Sequence, residues 1–291
     1  MTQCSEQQKK IRKNCNPKKE KEAGIHGLFG ARGNEDKDKG NNDRCKNKSL
    51  YNFLKRMKVF STNVKLNKRF WITFIIGVFI LSFKYGTQKT LKSNIIMGFF
   101  SVFLAMFVGY FIHMLSHHIS FVELYNDSLN QSKYIPKSVH KINKSFLKYT
   151  FDFHDLIHHD SSINKSHTNI LIEGIQNLIF EGGLIILFYL YFKIKLVLNN
   201  ETYSINPYVV LFWMILYTTV HLINYRLVHP NSHIAHHMDY YKNLSLTDLF
   251  DLIFGSKYDE NEIQDLDHFT INAVFSVLGI IIVKELFDLF G

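Results

Sequence analysis

The chain has few cysteines, and no apolar segment lies near its start. Three cysteines, Cys4, Cys15 and Cys45, occur in 291 residues, and none of them belongs to a CxxC pair. This set does not predict a disulfide framework and suits a reducing compartment. Because the first apolar block begins only at Phe70, a cleavable signal peptide is not expected, and the first membrane span should act as a signal anchor.

The first 66 residues also lack the apolar side chains that a folded core requires. They are rich in Lys, Asn, Glu, Asp and Gly, and residues 34–42 are almost wholly polar. We therefore expect residues 1–66 to form a disordered basic tail in the cytosol. The net charge of +9 would attract anionic lipid or nucleic acid. Since Lys and Asn are abundant throughout the chain, a solvated tail that enforces orientation is the simpler interpretation, and we expect no nucleic-acid partner.

Histidine, in contrast, is abundant and patterned. Three times among the 15 histidines, one histidine is followed three or four residues later by a histidine pair. Neutral imidazole is the commonest ligand for divalent transition metals in proteins, and residues three and four apart share one face of a helix. A tetrahedral structural zinc takes only four ligands, so this supply predicts two metal ions with open coordination positions. The triplets are His113 with His117 and His118, His154 with His158 and His159, and His233 with His236 and His237.

Long apolar blocks surround the triplets and predict a membrane protein. Residues 70–83, 95–112, 184–198 and 207–223 carry no charged side chain except two lysines in the third block. The first and third blocks are shorter than the roughly 20 residues of a typical span, but flanking Lys and Arg can extend them. A large soluble helical core is the alternative, although four such blocks are hard to enclose in a domain of this size. Residues 271–283 run into charged residues and predict a covering helix instead of a fifth span.

The connections between the blocks predict their arrangement. Only residues 86–94 separate the first two blocks, and only residues 199–206 separate the last two. The spans should therefore form two hairpins whose turns lie on one side of the bilayer, with the triplets on the other. Lys and Arg are concentrated before Phe70 and absent from the second turn, although Lys89 and Lys92 lie in the first. By the positive-inside rule, the triplets face the cytoplasm.

The order and spacing of these histidines resemble the histidine boxes of the fatty acid hydroxylase/sterol desaturase superfamily. The segment 243–256, which includes Asn243, Phe250-Asp251 and Phe254-Gly255-Ser256, is similar to that family's closing signature, in which an Asn leads into Trp-Asp-x-Leu-Phe-Gly-Thr. The resemblance covers residues 70–260 and implies four membrane helices, a cytosolic dimetal centre, O2 and a lipid substrate. The matching boxes are His113 to His117, His154 to His159, the lone His221, and His233 to His237.

The chain departs from the family pattern in two places. The second box has three residues between its histidines where the family more often has two, and Phe250 replaces the usual Trp. On a regular helix, positions 154 and 159 are about 140° apart, so either the rings straddle both metals or the segment is irregular. Residues 119–153 contain five lysines and are longer than a compact linker needs, which suggests an interfacial insertion.

The predicted ligands are the box histidines and the lone histidine of the fourth span, an ionisable group near the cytosolic end of a membrane helix. Three carboxylates, Asp155, Asp160 and Asp239, are candidates to orient the rings, or else are solvated loop charges. His118 points away from the face that His113 and His117 share and is not expected to bind. The remaining histidines have no partner in a box and are expected to be ordinary. The full predicted set is His113, His117, His154, His158, His159, His221, His233, His236 and His237.

These features predict an all-α integral membrane protein, with four transmembrane helices in two hairpins and a cytosolic helical cap that carries the histidine boxes, within residues 67–291. The expected function is O2-dependent hydroxylation of a fatty acid, sphingolipid or sterol. Oxidation of an unactivated C–H bond requires a metal or cofactor, and two Fe ions suit this cage, although imidazoles also bind Zn. For a eukaryotic chain, the endoplasmic reticulum membrane is the expected location.

Two alternatives remain open at this stage. A lipid or sterol desaturase would use the same scaffold, and a non-catalytic metal-binding membrane protein would use the same ligands. A carrier should place its ionisable ligands at mid-bilayer, whereas here they lie at the ends of the spans. The sequence contains no haem, flavin or Fe–S motif, so we expect electrons from a cytochrome b5-type or ferredoxin-type donor and a reductase in trans.

Overall fold

The computed structural model describes residues 42–129, 136–154, 158–159, 167–192, 195–198 and 201–290. The predicted tail up to residue 41 and two of the candidate carboxylates, Asp155 and Asp160, lie outside these residues. By compactness the chain divides into Met1–Asn52 and Phe53–Gly291. The second unit contains the three long apolar helices and the nine predicted histidines.

The described residues are mostly helical. They form twelve α-helices, and short π or 3-10 segments occur at Ile179–Gly183, Val220–Asn224 and Asp267–Phe269. The helices are α1 Asn42–Leu66, α2 Lys68–Tyr85, α3 Leu91–His118, α4 Phe121–Leu129, α5 Lys137–Thr150, α6 His167–Leu178, α7 Leu184–Phe192, α8 Pro207–Thr219, α9 Tyr225–Val228, α10 Asn231–Met238, α11 Leu249–Phe254 and α12 Thr270–Phe290.

The structure is consistent with a multi-pass membrane protein. Leu91–His118, His167–Tyr191 and Pro207–Val228 are each long and apolar enough to cross a bilayer. The pair Leu50–Leu66 and Lys68–Tyr85, bent by 88°, provides a fourth span if it is counted as one. Among the described residues, three helices or up to four therefore meet the requirements for crossing a membrane.

The third span differs from its predicted bounds of 184–198. The helical segment begins at His167 and ends at Tyr191, because it includes polar residues that the sequence placed in a loop. Glu173, Gln176 and Asn177 are all buried on this segment. A span whose first half is polar on its buried face escapes a search for apolar runs.

The all-α prediction is wrong at the end of this span. Strands β1, Lys195–Leu198, and β2, Glu201–Ser204, pair in antiparallel register, with Lys195 opposite Ser204 and Leu198 opposite Glu201. Four residues are too few to show a clear period of two in a sequence. This hairpin lies beside the turn after α2, where Gln88 Nε2 donates to the carbonyl oxygen of Ser204 at 2.9 Å.

Part of the predicted tail is also ordered. Residues 42–66 form α1, and the last turn of this helix is fixed by contacts with a distant loop. Asn67 Nδ2 donates to the Gln264 carbonyl oxygen at 2.8 Å, and the Leu266 amide donates to Asn67 Oδ1 at 2.6 Å. Composition could not show this ordering, because the partners lie about 200 residues away.

The core consists of aromatic and small side chains where α2, α3, α8 and α12 pack together. Phe74 packs against Phe212 with ring centroids 5.5 Å apart, and both rings are buried. Gly77 allows close approach, since a Cβ at this position would lie 2.8 Å from Val277. Small residues at such crossings let membrane helices pack closely. This packing fixes the spans whose ends carry the histidines.

The C-terminal helix follows α2 along its whole length. Phe269, just before α12, packs against Phe70 near the start of α2. At the other end, Glu285 accepts a hydrogen bond from Tyr85 at 3.0 Å and lies 2.9 Å from Lys84 Nζ. With 21 residues, α12 is longer than the covering segment predicted for 271–283, and it runs parallel to α2.

The insertion at 119–153 forms a pair of helices. Asp152 ties its two ends together, because its carboxylate accepts from the amides of Phe121 and Val122 at 2.9 and 2.8 Å. An exposed apolar stripe and a lysine stripe occupy different faces of α5, in the pattern of an interfacial helix; its membrane contact stays a prediction. The apolar stripe is Val139, Ile142, Phe146 and Tyr149, and the lysines are Lys137, Lys141, Lys144 and Lys148.

Candidate metal centre

The nine predicted histidines converge on one buried region. Each belongs to at least one group whose candidate ligand atoms all lie within 4.8 Å of one another. They come from α3, from the segment after α5, from the π segment in the fourth span and from α10, so residues more than 100 positions apart meet. The groups are His113, His117, His154 and His236; His154, His158 and His159; His158, His233 and His237; and His158, His221 and Glu173.

Local structure explains how α3 and α10 aim their rings. His113 and His117 lie one turn apart near the end of α3, so both project from one face. On the other helix, α9 ends at a turn in which His229 adopts a left-handed backbone conformation with a φ of 51°. Pro230 follows and precedes α10. Because proline favours the start of a helix, a new helix, α10, begins here.

The second box is irregular, which is one of the two arrangements that its spacing allowed. His154 lies in a π-type turn, and the His159 amide donates to the His154 carbonyl oxygen at 3.2 Å. This hydrogen bond between residues i and i+5 closes a wider turn, which accommodates the extra residue of the box. As a result the two rings, which would diverge on a regular helix, bring their Nε2 atoms within 3.2 Å.

Hydrogen bonds to backbone carbonyls fix the tautomers of two rings. His113 Nδ1 lies 2.9 Å from the Leu244 carbonyl oxygen, and His236 Nδ1 lies 2.8 Å from the Lys242 carbonyl oxygen. A carbonyl oxygen only accepts, so each Nδ1 carries the proton and each neutral ring keeps a lone pair on Nε2. These two Nε2 atoms face each other at 3.1 Å.

Two facing lone pairs at this distance repel each other unless a cation lies beside both. Two nitrogens bound about 2.05 Å from one ion, at angles of about 90–109°, lie about 2.9–3.4 Å apart. The separation of 3.1 Å between His113 Nε2 and His236 Nε2 falls inside this range. The same holds for His233 with His237, whose Nε2 atoms are 3.1 Å apart. These buried clusters therefore fit a metal ion.

Burial keeps the rings neutral and ready to bind. It lowers the pKa of His154, His159, His233 and His236 well below the usual range, and the neighbouring imidazoles lower these pKa values further. A protonated imidazole has no lone pair to offer a metal. The packing therefore selects the form of histidine that acts as a ligand.

The segment 243–256 supports the site through Asp251. Its carboxylate accepts from the amides of Leu244 and Ser245 at 2.8 Å each and from the hydroxyl of Ser256 at 2.6 Å. Leu244 supplies the carbonyl that orients His113. Because several donors of this loop bind one carboxylate, Asp251 fixes the loop. Asp251 thereby positions the Leu244 carbonyl oxygen that orients His113.

Asn243 holds the other side of this loop. Its φ is 52°, a conformation that Asn tolerates better than most residues. Its amide nitrogen donates to the Ser232 carbonyl oxygen at 3.0 Å, and its amide oxygen accepts from the Tyr258 amide at 3.0 Å. The loop is thereby attached to α10, whose histidines it faces.

Sequence reasoning missed Glu173. This carboxylate is buried on α6, where its Oε1 accepts from His221 Nδ1 at 3.2 Å and lies 3.2 Å from His158 Nδ1. Arg226 Nη2 donates to Oε2 at 2.9 Å. Such a carboxylate orients imidazoles so that Nε2 faces the metal. The signal available in the sequence was a glutamate within the otherwise uncharged, largely apolar segment 168–180.

The other candidates lie outside the cluster. Asp239, proposed to orient the rings, instead accepts from the Tyr241 amide at 3.2 Å. His118 stacks on Tyr241 with centroids 4.6 Å apart and belongs to none of the ligand groups. His140 pairs with Tyr125 Oη at 2.9 Å. His167 and His229 are exposed, and His268 packs on Phe269.

No protein-family model, curated protein or solved structure matches the chain.

Proposed function

We propose that this protein is a membrane-embedded, nonhaem di-iron oxygenase that hydroxylates a lipid. The observation that carries the proposal is the convergence of nine histidines, with the Nε2 atoms of His113 and His236 turned toward each other at 3.1 Å. A site built only for structural zinc needs four ligands. A larger imidazole cage at the end of apolar helices suits O2 chemistry on a lipid chain.

Two ion positions account for the ligand groups. The first lies among His113, His117, His154 and His236, and the second lies near His158, His233 and His237. His221 and Glu173 border the second position. His159 lies between the two, since its ring centroid is 4.8 Å from that of His236 and 4.4 Å from that of His237. The family resemblance of the boxes adds to this assignment.

The residues of the chain bind, orient and shield the centre. Iron held there would supply activation of O2 for cleavage of an unactivated C–H bond. Backbone carbonyls of Lys242 and Leu244 hold two rings in the binding tautomer, and Glu173 does the same for His221. Burial of the rings excludes bulk water, which protects a reactive centre from side reactions.

The position of the ligands favours an enzyme over a carrier. His113 and His117 lie in the last turns of α3, and His221 lies in the π segment that follows α8. A carrier would place such groups near the middle of its spans. Within the enzyme class, two alternatives remain: zinc in the same cage, and a desaturase on the same scaffold. Imidazole ligands alone do not determine which metal binds or which product forms.

Lipid profiling tests the proposal directly. In cells that express the chain, a hydroxylated fatty acid, sphingolipid or sterol is expected to accumulate, whereas cells that express His236→Ala should lack this product. The control is His140→Ala, whose ring bonds Tyr125 outside the cluster. A desaturated product would favour the desaturase, and identical profiles for the chain and His236→Ala would argue against any oxygenase.

The electron supply gives a second prediction. Purified protein with iron, O2 and NADH is expected to be inert until a reductase and a cytochrome b5-type or ferredoxin-type carrier are added, because the sequence has no haem, flavin or Fe–S motif. Oxygen uptake coupled to product formation is the measurement. Turnover from NADH by the chain alone would contradict this prediction.

Sidedness gives a third prediction. The turn after α2 and the strand hairpin meet through Gln88 and Ser204, which supports two helical hairpins with both turns on one side. In sealed microsomes, after replacement of the native cysteines by serine, Asp259→Cys should be labelled from the cytoplasm, whereas Ser204→Cys should be protected. Labelling of Ser204→Cys and Asp259→Cys from the same side would contradict the arrangement.

A further inference from the structure

A second buried carboxylate, Glu181, lies in the third span and takes no part in the metal centre. It is 4% exposed and sits in the π segment Ile179–Gly183. Trp213 Nε1 donates to Glu181 Oε2 at 3.2 Å. The backbone leaves room for this group, because a Cβ at Gly109 would lie 2.1 Å from Glu181 Oε2. An ionisable side chain buried in a membrane helix marks a functional position by default.

A small cavity adjoins Glu181 and contains a hydroxyl without a partner. Thr247 is fully buried, and its Oγ1 makes no hydrogen bond within the described residues. The cavity has room for about one water-sized group. A buried polar atom without a partner calls for a ligand or an ordered water. The lining residues are Met106, Tyr110, Glu181, Trp213, Tyr217, Leu244, Ser245, Leu246, Thr247 and Phe250.

This cavity lies next to the metal ligands. Gly109, against which Glu181 packs, is one helical turn, or about 6 Å, before His113 on α3. Tyr217, which lines the cavity, stacks on His221 with ring centroids 5.7 Å apart. A second cavity, lined by His113, His221, His233 and His236, shares four lining residues with the first: Tyr217, Leu244, Ser245 and Leu246.

We propose that Glu181 and Thr247 bind a free hydroxyl or amine of the lipid substrate and thereby set which carbon reaches the metal centre. The proposal rests on the function proposed above and narrows its substrate class. A carboxylate accepts from O–H or N–H, and the threonine hydroxyl offers a second partner. The cavity admits a small polar group and not an alkyl chain, so the polar end of the lipid occupies it.

The short distance between this cavity and the ligands limits the substrate. A polar group held about one helical turn from His113 places the oxidised carbon only a few bonds away. Lipids with a free hydroxyl or amine close to that carbon, such as long-chain bases and sterols, meet this requirement. An ester-linked acyl chain oxidised near its middle has no donor at the right place.

Trp213 makes the site observable without turnover. The chain has two tryptophans, so Trp71→Phe leaves Trp213, one of the hydrogen-bond donors to Glu181, as the sole reporter. Purified Trp71→Phe in phosphatidylcholine nanodiscs is titrated with 1-octadecanol and, separately, with its methyl ether, which has the same chain but no donor. The alcohol is expected to shift Trp213 emission with at least about tenfold tighter binding than the ether.

Two further changes in the Trp71→Phe background test the assignment. Glu181→Leu should abolish the preference for the alcohol, and Gly109→Ala should weaken it, because the new methyl group displaces the carboxylate. Glu123→Gln, at an exposed carboxylate, is the control and should keep it. Equal binding of alcohol and ether, or a preference that survives both Glu181→Leu and Gly109→Ala, would overturn the proposal. If Glu181→Leu fails to fold, Gly109→Ala decides.

Metal content and helical circular dichroism of each variant are measured in parallel. They should be unchanged, because Glu181 belongs to none of the ligand groups. The binding test requires neither O2 nor an electron donor. A protein that binds the alcohol but forms no product would overturn the oxygenase proposal alone, whereas a protein that forms product without any preference for the alcohol would overturn this inference alone.

Discussion

Alanine at His117, His158 or His236 is expected to lower product formation by about a hundredfold or more, and any two of these changes together should be scarcely worse than one. The three rings come from different segments but belong to linked ligand groups. Groups that act as a unit show strongly non-additive effects, since one loss already disables the centre. The measurement is turnover with added electron donor and reductase.

Metal analysis separates this prediction from a general loss of structure. The purified protein is expected to contain close to two ions, iron or adventitious zinc, and each box variant should contain fewer. The helices should persist, because the bilayer enforces their backbone hydrogen bonds. His140→Ala and His268→Ala are the controls, since their rings contact Tyr125 and Phe269 outside the ligand groups. Equal metal loss in controls and box variants would refute the shared centre.

The cluster itself was predictable from sequence because its ligands repeat at helical spacing. His113 with His117, and His233 with His236 and His237, share helix faces that the structure preserves. His221 was recognised because an ionisable group in an apolar block is conspicuous. What spacing could not predict is how the rings of separate segments pair, since that depends on tertiary packing.

The missed features share a physical cause. Glu173 and Glu181 lie on one span, but the first precedes its apolar run and the second is a single charge at the edge of it. The π turn at His154 and the π segment at Val220–Asn224 change which face a residue occupies. Assigning residues to a helix face by their spacing assumes a regular period of 3.6 residues per turn. At a π turn this assumption fails, and the assigned direction of the following side chains is wrong.

The strand hairpin and α1 were missed for another reason. The strands are four residues each, and α1 is held at its end by Asn67 contacts with Gln264 and Leu266. Local propensity is a weak guide when distant contacts decide the structure. The helical structure of an apolar run in a membrane, by contrast, is imposed locally, because the surrounding lipid offers the backbone no other hydrogen-bond partners. Accordingly, α3 and α8 lie where the second and fourth apolar blocks predicted them.

Replacement of Glu173 by alanine is expected to weaken metal binding about 10–100-fold, although Glu173 was not among the predicted ligands. The change removes the acceptor of His221 Nδ1 and the carboxylate that lies 3.2 Å from His158 Nδ1. It also leaves the partly buried Arg226 without its partner at 2.9 Å. Both rings then lose the contact that turns Nε2 toward the second ion position.

Glu173→Gln gives the sharper comparison, because it preserves volume. Its amide oxygen can accept from only one side, and its NH2 group opposes either the imidazole donors or Arg226. We therefore expect an intermediate loss, with the ion near His158 and His233 released first in a chelator competition. Glu123→Gln, an exposed carboxylate on α4, is the matched control. If Glu173→Ala binds both ions as tightly as the unchanged protein, this carboxylate does not orient the ligands, and the packing around His158 and His221 must hold both rings instead.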